Sequence, residues 1–374
     1  MTQPLDLTPF REFQPTTLGL PENFLLTSFA QLPKNELTQY INEISHSLSL
    51  SKDDLDSSIV PSPIPGYSLV SSTDFFTPSV CDPEQQGRIA AANVLSDLFA
   101  VGAQPLNALM IVGASTECTD HERTTATSLM MKGFASACAK LGCKVSGGQT
   151  VLNPEFLIGG TVMSVTLDST LVKPTGARLG DVLIQTKPLG TQVISNVAQW
   201  LEHVALSRKG YENVSQHALK SWSKLCEVYG EEEFAKNIAR SRDVANSFMA
   251  RMNNVAAEVM VKYHGSCCSD ITGFGLIGHA NNLAELSSVD VDFVIDKLYC
   301  HSGAVLVNNV IDFGLSAGTS PETSGGLLFA VREEDAGHVV KELKERGEFG
   351  EVVGRIVKGK KRARLSDDVE VIEV

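Results

Sequence analysis

The pattern of apolar and polar positions switches irregularly between the two-residue period of strands and the 3.6-residue period of helices. The first 22 residues carry four prolines and no periodicity, which predicts a poorly ordered arm. A short apolar segment at 24–32 precedes residues 35–50, where Leu37, Tyr40, Ile41 and Ile44 share one helical stripe. SKDDLDSSIVPSPIPGY then brings three aspartates, three prolines and a glycine, so it reads as a loop or hairpin around a short strand at 58–60. Residues 67–70 form an apolar strand that delivers Asp74 at its end. The next helix carries Asn93 and Asp97 four residues apart, hence on one face, among Ala90, Ala91 and Ala92.

A buried strand follows at 106–113, then a helix at 119–141 capped by Thr119 or Asp120 and closed by Gly142. KVSGGQT (144–150) reads as a strand running into a glycine pair, and 156–167 as a strand with a glycine bulge or close contact. Proline, glycine and charge in KPTGARLGD mark a boundary near 174–180, after which a new strand starts at Val182. The second half predicts helices at 193–207 and 213–229, and a solvated helix face in EEEFAKNIARSRD. A long amphipathic helix is expected at 243–263, its methionines serving as core filler. CSDITGFGLIGHANNLAEL is an acidic, glycine-rich turn entering a helix, VDVDFVI an alternating strand, and TSPETSGGLLFAV a glycine turn entering a strand. The tail from Arg355 is basic and strand-like. Irregular alternation favours mixed α/β or α+β layers over a doubly wound parallel sheet.

Length adds domain number. At 374 residues the chain has room for two domains: we expect a flexible arm at 1–22, an N-terminal domain at 23–175 and a C-terminal α+β domain at 176–374. A net charge of −13 opposes general binding to nucleic acid or an anionic membrane. It leaves an anionic substrate open, because a metal ion reverses the local sign. The start lacks a basic region followed by an apolar run, and the apolar runs are too short to span a bilayer, so a cytoplasmic location is expected. Eight scattered cysteines, none in a C-x-x-C pair, read as free thiols.

Asp56, Asp74, Asp97 and Asp270 each stand at the edge of an apolar element beside small residues. Short carboxylates held near the backbone suit Mg²⁺, which takes oxygen ligands and keeps waters. Taken singly, each is equally a cap or turn aspartate. Gly147 and Gly148, before Gln149 and Thr150, can bring backbone N–H groups to a phosphate or form a tight turn. The absence of G-x-x-x-x-G-K-[ST] excludes a P-loop ATPase. No G-x-S-x-G elbow supports a serine hydrolase. TGFG misses the dinucleotide spacing, and His279 reads as a satisfied structural histidine.

SSTDFFTP, GRIAAANVLSDLFAVGA, SGGQTVLNP, GDVLIQTKPLGTQV, SDITGFGLIGHANNLAE and SPETSGGLL together resemble selenophosphate synthetase (selenide, water dikinase) of the eukaryotic type, from about Phe24 to the C-terminus. The resemblance implies a two-domain α+β fold shared with aminoimidazole ribonucleotide synthetase and thiamine-monophosphate kinase, the N-terminal domains pairing in a homodimer to build a β-barrel. It implies conversion of ATP, selenide and water to selenophosphate, AMP and phosphate. It places Asp56, Asp97 and Asp270 as Mg²⁺ ligands, and Asp74, Asn93, Asp97, Gly147, Gly148 and Gln149 at the nucleotide.

One departure stands out. The family's glycine-rich N-terminal loop, with its reactive Cys and Lys, is missing: no glycine lies between Pro21 and Pro65 and no cysteine precedes Cys81. The catalytic Cys and Lys are therefore absent from their expected place. Lys34 is a nearby substitute, and Cys81 is either an incidental thiol or a relocated nucleophile. The alternative function is a catalytically impaired paralogue that binds ATP–Mg²⁺ in a regulatory role.

Overall fold

The computed structural model describes residues 15–19, 56–212 and 214–374. The apolar segment at 24–32, Lys34 and the helix expected at 35–50 lie outside the described residues. Within the expected arm, Pro15–Leu18 makes one 3₁₀ turn.

The first sheet is five-stranded, in the order β1-β2-β5-β3-β4, from Ser58–Pro61 (β1), Tyr67–Phe76 (β2), Asn107–Ser115 (β3), Lys144–Asn153 (β4) and Leu157–Leu167 (β5). All its pairings are antiparallel except β3 with β4. The strand read at 67–70, with Asp74 at its end, runs on to Phe76, because each residue from Tyr67 to Phe76 finds a partner on β5. The same unbroken register makes the β5 glycines a close contact and not a bulge. The glycine pair expected at the end of β4 lies inside it, opposite Leu109 and Met110.

Two helices cover the sheet's inner face: Pro83–Ala100 (α1) and Asp120–Ala139 (α2). Asp82 caps α1 by accepting the amides of Glu84 at 2.8 Å and Gln85 at 3.1 Å, with proline in the first turn where no N–H is needed. Thr119 and Glu122 form a capping box on α2. The helices cross closely: a Cβ on Gly87 would lie 2.0 Å from the Met130 carbonyl, and one on Gly133 2.0 Å from that of Glu84. Sixteen of the α1 residues are buried, because the helix also touches elements of the second domain. That explains its small, apolar composition on every side.

The second sheet has six strands in the order β11-β8-β10-β6-β9-β7. They are Asp181–Gln185 (β6), Cys268–Asp270 (β7), Val291–Cys300 (β8), Leu327–Arg332 (β9), Glu351–Lys358 (β10) and Arg362–Glu373 (β11). The alternation expected in VDVDFVI is replaced by continuous burial from Val291 to Ile295, since β8 lies between β10 and β11 under helices. The helices are Thr191–Arg208 (α3), Gln216–Tyr229 (α4), Glu231–Ala250 (α5), Asn254–Lys262 (α6), Gly275–Leu286 (α7), Ser302–Asn308 (α8) and Glu333–Glu345 (α9). The long helix expected at 243–263 is two helices. Arg251 is extended (φ −78°, ψ 129°), and the charged run before it belongs to α5, which buries Phe234 and Ile238. One apolar cluster runs from Val94, Leu98 and Phe134 to Met260, Phe329 and Val339, so the two halves share a core. Among the described residues no helix is long and apolar enough to cross a membrane.

Candidate active site between the two domains

The inner face of β2 carries Ser72 and Asp74, and α1 presents Asn93, Ser96 and Asp97 toward it. From the second domain β7 ends at Asp270, and Asp56 enters just before β1. Three of the four carboxylates are held by a neutral donor. Ser72 donates to Asp97, Asn93 Nδ2 to Asp74 Oδ2 at 3.0 Å, and Ser269 Oγ to Asp56 Oδ1 at 3.1 Å. Ser96 lies beside Asp270 and favours its charged form, while Asp270 Oδ2 is buried without a partner.

Four carboxylates in a dehydrated cleft repel one another. Burial, then Asp270 and Asp74, hold Asp56 well above its ordinary value. Burial, then Asp270, Asp74 and Asp56, do the same for Asp97. Burial raises Asp74. Asp270 is pushed up to about 7 by burial and then Asp74, with Ser96 and the Lys187 ammonium opposing. An orphaned oxygen amid hard anionic donors fits a divalent oxygen-seeking cation.

His279 lies beside the acids: its nearest ring nitrogen and oxygens of Asp56 and Asp270 fall within 4.8 Å of one another. Yet its Nε2 accepts the Thr272 amide at 3.1 Å, which leaves the proton on Nδ1, 3.2 Å from Ser269 Oγ. Both nitrogens are thus engaged, in line with a structural histidine that orients Ser269 and, through it, Asp56.

Gly147, Gly148 and Gln149 are elsewhere. They lie on the exposed edge strand β4, with β3 and β5 between them and β2. Gly148 has φ +141°, and a Cβ there would lie 1.8 Å from the Met110 carbonyl, so strand pairing alone requires glycine. Cys81 is packed against Glu202, and burial followed by that carboxylate pushes its thiol well up. A protonated thiol is a poor nucleophile, which favours the incidental reading. All eight cysteines are free.

Three site neighbours escaped the sequence reading. Lys187 is fully buried, and donates to the carbonyls of Arg251 at 2.7 Å and Ser324 at 2.8 Å. Burial brings its ammonium down to about 7. Its signal was available: it is the one charge in the run VLIQTKPLGTQV. Asn253 Nδ2 reaches Ser96 Oγ and the Gly325 carbonyl, both at 2.9 Å. Ser324 donates its amide to Asn93 Oδ1 at 3.0 Å. Ser324 lies within the SPETSGGLL motif without being marked out in it, and nothing in the sequence singles out Asn253.

Two family models match: AIR synthase related protein, N-terminal domain, over residues 56–166, and its C-terminal domain over 178–365. The chain is 38% identical over 383 residues to selenide, water dikinase of Trypanosoma brucei brucei, covering 97% of this chain and 93% of that protein. The chain belongs to the selenide, water dikinase family. Selenide, water dikinase 2 of Mus musculus is 35% identical over 414 residues, covering 98% and 86% of the two chains. The AIR synthase related fold of the family also appears in solved structures. Thiamine monophosphate kinase from Aquifex aeolicus superposes with TM-score 0.61 at 20% identity, over 91% of this chain and 100% of that one. AaThiL complexed with AMPPCP and TMP gives 0.62 at 20% identity, over 92% and 97%. The mixed α+β, two-domain expectation is met.

Proposed function

We propose that this chain makes selenophosphate from selenide, water and ATP, releasing AMP and phosphate. The observation that carries the reading is the convergence of Asp56, Asp74, Asp97 and Asp270 in a chain of the selenide, water dikinase family. Asp56, Asp97 and Asp270 would hold Mg²⁺, and Asp74, Asn93 and Asp97 the nucleotide. The metal, when bound, neutralises polyphosphate charge as the phosphoanhydride bonds break. The chain's own part is orientation: Ser72, Asn93 and Ser269 fix the carboxylates of Asp97, Asp74 and Asp56 before substrate arrives.

The domain limits proposed are 23–175 and 176–374. The first domain would pair in a homodimer that closes its sheet into a barrel. Tyr67, Leu69 and Phe75 of β2 and Val165 and Leu167 of β5 support this, being exposed apolar residues on the outer face. In that dimer the open edge strand β4 would serve a nucleotide site shared between protomers, giving Gly147, Gly148 and Gln149 their role. We place the protein in the cytoplasm.

The test is phosphorus NMR on pure protein incubated with ATP, Mg²⁺ and selenide. Selenophosphate with selenide-dependent AMP is expected. Selenide-independent ATP hydrolysis, or none, would sink the reading.

A further inference from the structure

Residues 320–326, SPETSGG, form the turn that enters β9, and Ser324 is its most constrained member. It is fully buried, and it is one of three non-glycine residues with positive φ among those described, at +48°. A serine adopts the left-handed region only when its surroundings impose it. Here both ends of its peptide unit are clamped. Its amide donates to Asn93 Oδ1 on α1, and its carbonyl accepts Lys187 Nζ. The clamps continue outward. The Gly325 carbonyl takes Asn253 Nδ2, which also holds Ser96, and the Gly326 carbonyl accepts the Ile271 amide at 2.9 Å, one residue beyond Asp270. The turn is thereby tied to the acid-bearing stretch of α1 on one side and to the end of β7 on the other.

Against this satisfied backbone the Ser324 hydroxyl is conspicuous, because it is buried and has no hydrogen-bond partner. Buried hydroxyls nearly always have one. Asp270 Oδ2, next to the residue that anchors Gly326, is in the same condition. A left-handed serine between Thr323 and Gly325 also runs against local preference, since glycine would take φ +48° without strain. A side chain that contributes no bond to the fold, at a position where glycine is easier, is accounted for by a ligand.

We propose that Ser324 is a nucleotide-binding residue of the second domain, its hydroxyl donating to a phosphoryl oxygen of the Mg²⁺-bound triphosphate. The assignment rests on the nucleotide reading of the acid cluster. Asn93 then has two tasks through its two amide ends: Nδ2 orients Asp74, and Oδ1 sets the Ser324 turn. Lys187 is a positioning residue, acting through the Ser324 carbonyl.

Two variants test this, Ser324→Ala and Ser324→Gly. Each is read by Mg²⁺–ATP calorimetry, thermal melting and steady-state turnover beside wild type. Both are expected to weaken Mg²⁺–ATP binding or kcat/KM by about tenfold or more, a hydrogen bond to a charged group being lost. Ser324→Gly should melt at or above the wild-type temperature, since it sheds backbone strain and no internal bond. If wild type binds Mg²⁺–ATP while the glycine variant binds and turns over equally well, the proposal is overturned and the nucleotide reading stands. If the glycine variant melts well below wild type, the hydroxyl serves the fold and the proposal is again overturned. If wild type binds no Mg²⁺–ATP, the nucleotide reading fails and the proposal with it.

Discussion

Lys187 Nζ donates to the main-chain carbonyl of Arg251 at 2.7 Å, in the gap between α5 and α6. The helix break frees that carbonyl, and the lysine takes it up. Burial lowers the folded-state value from 10.5 to about 7. Between those limits the unfolded chain binds more protons than the folded one, so stability rises with pH and is smallest where both states are charged, below about 7. Lys187→Met lacks this slope. The stability advantage of wild type over Lys187→Met should therefore grow by about 3 kcal/mol between pH 7 and roughly pH 9.5, from ~1.4 kcal/mol per unit. Urea denaturation of both proteins at the two pH values measures it, and parallel pH profiles would refute the linkage.

Asp97 shows the opposite sign. Its carboxylate sits well above the ordinary value because of burial and then Asp270, so ionisation at neutral pH costs stability. Asp97→Asn should raise the melting temperature without divalent cation. The same change, like Asp97→Ala, should weaken Mg²⁺–ATP binding at least about tenfold, or ~1.4 kcal/mol. Calorimetry with unchanged nucleotide affinity would remove Asp97 from the site. Adding Mg²⁺ should stabilise wild type more than either variant.

How much of this was legible in the sequence differs by element. α1 and its Asn93–Asp97 spacing were readable because helical periodicity is local. So was the capped α2. The break at Arg251 was not, since the group that takes up its freed carbonyl is Lys187, 64 positions earlier in sequence. The aspartates could be named one by one, and the motif resemblance grouped them. Their serine partners could not be named: Ser72, Ser96 and Ser269 are ordinary serines until the sheet and helices bring them against acids. The β4 glycines were read as a phosphate approach or a tight turn, and at Gly148 the structure shows a close approach of another kind. The backbone approached is Met110 of β3, which only the sheet register reveals.

That register separates two roles in β4. Gly148→Ala forces a methyl against the Met110 carbonyl, so it should destabilise the protein by about 1–3 kcal/mol whatever the nucleotide does. Gln149 is exposed on the same strand. Gln149→Ala should leave the melting temperature within about 2 °C of wild type, as surface changes do, while weakening ATP binding. Thermal melting and calorimetry on both variants separate the roles. Loss of stability in Gln149→Ala, or full ATP affinity, would take Gln149 out of the shared site.

His301 provides a pH test away from the acids. It is 3% exposed, its ring lies 5.4 Å from that of Phe248, and Nε2 has no partner. Burial holds it near 4 against an ordinary 6.5, so the folded protein keeps it neutral where the unfolded chain is protonated. The folded-state value is depressed, so the cost is absent above 6.5 and accumulates as pH falls toward 4, reaching about 3 kcal/mol. His301→Phe cannot titrate and keeps an aromatic ring beside Phe248. Its stability should fall less steeply than wild type across that interval. Urea denaturation every half pH unit reads the two slopes, and superimposable curves would mean that the imidazole accepts its proton in the folded state at no cost.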